Sequence, residues 1–314
     1  MLGGMSFRWL TIFLDFPAGS FDAGVTFWRE VTGYGLSAAR GADGQFATLL
    51  PPSGDAYLRV QRVRDGAGGC HLDLHVDTGA GSVDAEADRA VAAGAVVRHR
   101  EDGLVVAQSP GGFPFCLVEW DGERAVPPAL PAAGGDGGAS RVDTLCLDVP
   151  PRAFERELAF WSALTGQVSR PAPVPGYAAL TPPEGWPARL LVQRRDSAAP
   201  GDPVSAHVDF GCTDSRAREA HVALGARVTT ALEHWTVLAD PAGRAYCLVN
   251  RGPRLARSAG GGQALRLAGY SAPHSGHRGN GSREVRRDWR ADRGTARRGA
   301  RMPESRARGR RLGL

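Results

Sequence analysis

Apolar and polar positions along the chain fall into two periods, and the whole pattern occurs twice. A short apolar run, Trp9–Leu14, precedes Phe21, Val25, Trp28 and Val31, which recur at i, i+4, i+7 and i+10. The run predicts a strand, and the spacing predicts a helix with one apolar stripe. The same order returns at Val142–Val149, followed by Phe154, Leu158, Trp161 and Leu164. Gly33 and Gly166 stand where a glycine C-cap belongs. Strand-like segments follow at 45–50 and 56–63, and again at 177–181 and 188–194. In "HLDLHV", His71, Asp73 and His75 alternate with Leu72, Leu74 and Val76, the period of a strand with one apolar and one polar face. Its later counterpart is "HVDF", His207–Phe210. Second helices are expected over Val83–Ala93 and Arg216–Leu224, with Ser82 and Asp214 as N-caps and Gly94 and Gly225 as stops. Three short strands then close each unit.

Direct matches confirm the duplication. "FWREVTG" at Phe27 matches "FWSALTG" at Phe160, "VQR" at Val60 matches Val192, and "FCLVE" at Phe115 matches "YCLVN" at Tyr246. Matches in one order with small drift in offset place the insertions in loops. Between the repeats, "VPPALPAAGGDGGAS" has no apolar period and reads as a linker.

Composition sharpens the boundaries. The 38 basic side chains are all arginine. Residues 1–256 hold 23 Arg against 29 acids, whereas residues 257–314 hold 15 Arg against four. The basic balance therefore belongs to the tail, and nucleic-acid binding by the body is not expected. The tail, 256–314, is rich in Arg, Gly and Ser and poor in large aliphatics, so it is expected to be disordered. Its composition fits a GC-rich reading frame better than a basic arm for nucleic acid. Five cysteines without a CxxC pair suit free thiols in a reducing cytoplasm. No run approaches a membrane span, and no secretory leader is expected at the start. No nucleophile elbow, P-loop or dinucleotide fingerprint occurs.

With these motifs in place, each repeat resembles the vicinal-oxygen-chelate superfamily, the glyoxalase/bleomycin-resistance fold. The carriers are "FW…TG", "VQR", "HLD" or "HVD", "AGA" or "LGA", and the closing "FCLVE" or "YCLVN". The resemblance implies an α+β chain of two tandem glyoxalase-like domains, 6–121 and 140–251, joined by a linker over 122–139. Each domain would pair two βαβββ modules into a U-shaped sheet with helices outside. Whether the two domains pair with each other or two chains pair stays open.

The trough of such a sheet holds a small-molecule ligand and, in the superfamily's enzymes, a divalent metal. Ligands there are typically a His on the first strand, a His on the fifth and a Glu on the last, sometimes with a Glu on the fourth. By the resemblance these positions fall on Thr11 and Thr144, His71 and His207, Cys116 and Cys247, and near Arg59 and Leu191. One ligand per trough is a poor site for a hard ion, so no metal cofactor is expected. The resemblance then implies a bleomycin-resistance-like binding protein for a partly apolar molecule. The alternative is a lyase, isomerase or dioxygenase-type enzyme, either metal-dependent or using His71 or His207 as general acid/base. Candidate pocket residues are Thr11, Gln61, His71, Asp73 and Cys116, with Thr144, Gln193, His207, Asp209 and Cys247. Asp73 and Asp209 are the expected hydrogen-bond partners of the two histidines. Gln61 and Gln193 suit either a ligand-orienting amide or a solvent-facing position. A Cys116–His71 nucleophile pair would need a thiolate in the trough.

Overall fold

The computed structural model describes residues 6–131, 138–196, 198–199, 201–214 and 216–253. The tail expected to be disordered and the centre of the expected linker, 132–137, lie outside the described residues.

The first repeat lays down β1 (Phe7–Pro17), α1 (Phe21–Thr32), β2 (Gly35–Leu36), β3 (Phe46–Leu50) and β4 (Leu58–Val63). A second module follows as β5 (Gly69–Val76), α2 (Val83–Ala92), β6 (Val96–Glu101), β7 (Leu104–Gln108) and β8 (Pro114–Glu119). After β9 (Leu130–Pro131), the later repeat runs β10 (Ala139–Val149), α3 (Phe154–Thr165), β11 (Ser169–Pro171), β12 (Tyr177–Leu180) and β13 (Arg189–Arg194). It closes with β14 (Ser205–Cys212), α4 (Ala217–Ala223), β15 (Arg227–Ala231), β16 (Trp235–Ala239) and β17 (Ala245–Asn250). The fold is α+β, two tandem domains of paired βαβββ modules.

Each domain is one sheet. The strand order is β2-β3-β4-β1-β5-β8-β7-β6 in the first and β11-β12-β13-β10-β14-β17-β16-β15 in the second, with β9 added beside β10. The long strands β1 and β5 run antiparallel at the centre and join the two modules, and β10 and β14 do the same. Gly33 and Gly166 end α1 and α3 in the left-handed region, each at φ 68°, which a glycine adopts without a Cβ penalty. Ser82 caps α2 by accepting from the Ala85 amide at 3.1 Å. Asp214 is not the N-cap of α4, a position that Arg216 takes without a side-chain capping bond to the helix. Asp214 accepts from the Arg216 amide at 2.8 Å, and α4 starts only at Ala217. The linker is tied down where it is described: Asp55 accepts from the Arg124 and Ala125 amides at 2.8 Å each.

The alternation on β1 sends Leu10, Ile12, Leu14 and Phe16 to one face, all fully buried, and Thr11, Phe13 and Asp15 to the other. The apolar faces of the two sheets belong to one continuous core. Their first helices are shared across the repeats. Trp28 on α1 stacks on Phe210 of the other repeat with centroids 5.9 Å apart and planes 13° from parallel. Its Nε1 donates to Asp240 at 2.8 Å. In the reciprocal contact, Trp161 on α3 meets Phe115 edge-on at 5.4 Å. Trp161 Nε1 donates to Glu157, whose other oxygen accepts from the Gly111 amide at 2.8 Å. Losing either indole would cost about 3–5 kcal/mol as a large-to-small core change. Arg244 adds a polar staple: its guanidinium donates to the Asp15 and Gly69 carbonyls and lies 4.5 Å over the Phe16 ring.

His221 sits in this shared core with no exposed surface. Its Nδ1 is 2.9 Å from the Tyr246 hydroxyl, and Phe210 stands edge-on at 5.4 Å. Burial lowers its pKa to about 4. The unfolded chain then binds a proton that the folded chain refuses. Stability should fall as pH drops from about 6.5 towards 4, by up to about 3 kcal/mol from this group. Urea titrations across that range should show a slope that His221→Phe reduces, and an equal slope in both proteins would refute the assignment.

Candidate functional site

On the face away from the helices, side chains form registered rows across each sheet. In the first, Phe13 lies between Arg59 on β4 and His71 on β5, and Asp15 is paired with Gln61. Thr11 is paired with Asp73, and Asp73 with Cys116. In the second, Cys146 lies between Leu191 and His207, and Asp148 is paired with Gln193. Thr144 is paired with Asp209, and Asp209 with Cys247. All ten expected pocket residues thus share a trough face, five in each repeat.

The threonines are one step away from the histidines. Phe13 stands directly across from His71, and Cys146 across from His207. Both threonines serve local networks instead. Thr11 Oγ1 is 2.9 Å from His75 Nε2, and His75 Nδ1 lies 3.2 Å from Glu123. Thr144 Oγ1 accepts from Arg189 at 3.1 Å and from Arg251 at 3.2 Å, while Arg251 grips Asp143 through two bonds of 2.6 and 2.7 Å.

Each trough histidine is held by an aspartate that sequence reasoning missed. His71 Nδ1 is 2.8 Å from Asp15, and His207 Nδ1 is 2.8 Å from Asp148. The expected partners lie on the other ring nitrogen and further away: Asp73 at 3.8 Å and Asp209 at 3.3 Å. The signal was present. Thr11–Pro17 and Thr144–Pro150 share Thr-x-x-Leu-Asp-x-Pro, a charge at the same step of two otherwise apolar strands.

Electrostatics follow from this packing. Burial disfavours the His207 cation, but the Asp148 and Asp209 carboxylates beside the ring outweigh it and raise the pKa well above the usual value. His71 is raised in the same way, with burial opposed by Asp15 and Asp73. Burial pushes the Cys146 thiol up to about 12 and also raises Cys116 and Cys247. A thiol held neutral is a weak nucleophile, so the Cys116–His71 pair lacks its reactive form.

The two troughs differ in what fills them. In the first, the Phe13 ring stacks on the His71 imidazole with centroids 4.2 Å apart and planes 15° from parallel. Arg59 lies 5.7 Å above that ring, and Phe46 meets it edge-on at 6.3 Å. In the second, Cys146 and Leu191 replace Phe13 and Arg59, and a cavity of about 460 Å³ opens there. Gln193 and His207 line it together with Tyr177 and Trp235, two further residues that the sequence did not single out.

The family model described as glyoxalase-like domain matches residues 11–118 and 144–249, one region per repeat. The chain belongs to the glyoxalase-like domain family. No curated protein matches it in sequence. Solved structures place this glyoxalase-like chain in the vicinal-oxygen-chelate fold. The Mn(II)-bound glyoxalase from Novosphingobium aromaticivorans is 14% identical, with 81% of this chain and 85% of that one covered at a TM-score of 0.52. The 2,2',3-trihydroxybiphenyl 1,2-dioxygenase from Sphingomonas wittichii strain RW1 is 16% identical, with 78% and 90% covered at 0.54. The 2,3-dioxygenase LapB from Pseudomonas sp. KL28 is 13% identical, with 78% and 91% covered at 0.55. At such identities the likeness is one of fold.

The fold implies a divalent metal, which the donor atoms of this glyoxalase-like chain allow to be tested. His207, Asp209 and Cys247 bring ligand-type atoms within 4.8 Å of one another, as do Cys146, Asp148 and His207, and His71, Asp73 and Cys116. Every set contains a thiol that burial keeps protonated. The imidazole of each set has both nitrogens turned to carboxylates and favours its protonated form, which has no lone pair to give. Each set thus leaves one aspartate as its only ready hard donor, and the donors fit a hard divalent ion poorly.

His207 should therefore stay protonated above pH 6.5 in the folded protein. A group raised on folding contributes stability below its unfolded value of about 6.5 and loses it as pH rises through the folded value. Nitrogen-resolved NMR of the imidazole should show this, and Asp148→Asn should lower the midpoint by about one unit or more. An unshifted midpoint in the variant would remove the role given to Asp148.

Proposed function

We propose that this glyoxalase-like protein binds one small, partly apolar molecule per chain in the second trough, without a metal ion, and holds it unchanged. The observation that carries this reading is the cavity over His207, closed in the first trough by Phe13. Its volume suits a small ligand, and its lining sets a few polar groups among apolar walls. The alternative of acid/base catalysis at His207 is less well supported, because Asp148 holds one ring nitrogen at 2.8 Å and Asp209 stands 3.3 Å from the other. Nucleophilic chemistry is opposed by the neutral thiols. All five cysteines are free, which supports the cytoplasm as its location. Among the described residues, no helix is long and apolar enough to cross a membrane.

Cys146→Phe copies into the second trough the residue that the first already accommodates. Titration with the uncharged fluorophore N-phenyl-1-naphthylamine should saturate at one per chain in the wild type and weaken at least about tenfold in the variant. Equal binding by both proteins would place the ligand elsewhere. Dialysed protein should contain far less than one equivalent of Mn, Fe, Ni or Zn by elemental analysis. Stoichiometric metal that resists dialysis would overturn the metal-free reading.

A further inference from the structure

The first trough carries its own occupant, the Phe13 ring stacked on His71. The cradles are built alike. Each histidine is fixed by an aspartate on the neighbouring central strand, two residues beyond the residue that faces it, at 2.8 Å in both cases. Phe46 is registered with Gln61, and Tyr177 with Gln193, so Tyr177 takes the place of Phe46 at the trough wall. The closing strands β8 and β17 do not distinguish the troughs, because each places a cysteine, Cys116 or Cys247, in the same row. Beside the histidine the filling changes: Phe13 becomes Cys146, and Arg59 becomes Leu191, while further along the trough His75 gives way to Gly211, and Arg189 and Arg251 join the lining.

We infer that the second trough selects a planar aromatic ring, laid face-on over the His207 imidazole with its edge toward Tyr177. This rests on the binding role proposed above and names the class of molecule bound. Phe13 shows the geometry, 4.2 Å from the His71 centroid at 15°, with Phe46 edge-on at 6.3 Å and 80°. In the second trough both His207 nitrogens face carboxylates, so the imidazole offers a ligand its flat surface and not a donor or acceptor edge. A ring stacked there gains from the imidazole face what a saturated ring of similar outline does not. Leu191 removes the guanidinium that covers Phe13, and the aromatic wall continues from Tyr177 to Trp235, 6.3 Å away at 64°.

The test compares 2-naphthol with its saturated counterpart, decahydro-2-naphthol, by calorimetry on the full chain. The expected result is at least about tenfold tighter binding of 2-naphthol, with the preference lost in His207→Gln. Equal affinities would overturn the aromatic inference while leaving the binding role standing, and no saturable binding of either would overturn both. Should His207→Gln fail to fold, Cys146→Phe supplies the second measurement. Its own ring should exclude 2-naphthol and leave thermal stability equal or higher. Undiminished 2-naphthol binding by that variant would also refute the inference.

Discussion

Two tryptophans exchanged between the repeats are the constraint on which the rest depends. Trp28 and Trp161 each lie on the first helix of one repeat and pack against aromatic residues of the other repeat's sheet. Each indole also finds a buried carboxylate acceptor, Asp240 or Glu157. A buried indole is costly to place unless its N–H is satisfied, so these pairings fix orientation as well as burial. Because the apolar sheet faces are covered from within this shared layer, the opposite faces stay clear of helices and become troughs. Arg244, spanning from the turn before β17 to the carbonyl of Asp15, ties the two sheets at a point close to both troughs.

The troughs show how little sequence separates a filled cradle from an open one. The aspartate–histidine pairs, the threonines, the glutamines and the cysteines coincide row by row. At the position facing the histidine, an aromatic ring gives way to a thiol, and its neighbour changes from arginine to leucine. A Phe side chain is far larger than a Cys side chain, and protein interiors leave few voids of that size unfilled. The missing volume in the second trough is therefore informative in a way that its polar residues alone are not.

Much of this was legible in the chain. The duplication, the α1 and α3 stripes and the alternation in "HLDLHV" follow from period alone, because a sheet with one buried face admits one register. The glycine caps were readable for the same local reason. The clamp aspartates were harder, because Asp15 and Asp148 sit in runs that read as buried strand, and only comparison of the two repeats isolates them. The facing residues, Phe13 and Cys146 in place of Thr11 and Thr144, depend on inter-strand register, which no single strand encodes. The exchange of helices between repeats is likewise non-local: the stripe on α1 shows that it is buried and is silent on which sheet buries it.

Carrying a plugged and an unplugged version of one cradle also makes the molecule its own reference. His71 and His207 share an aspartate clamp of the same length, so the two imidazoles can be followed side by side. A response confined to His207 then reports occupancy of the second trough, with the first serving as internal standard in the same spectrum.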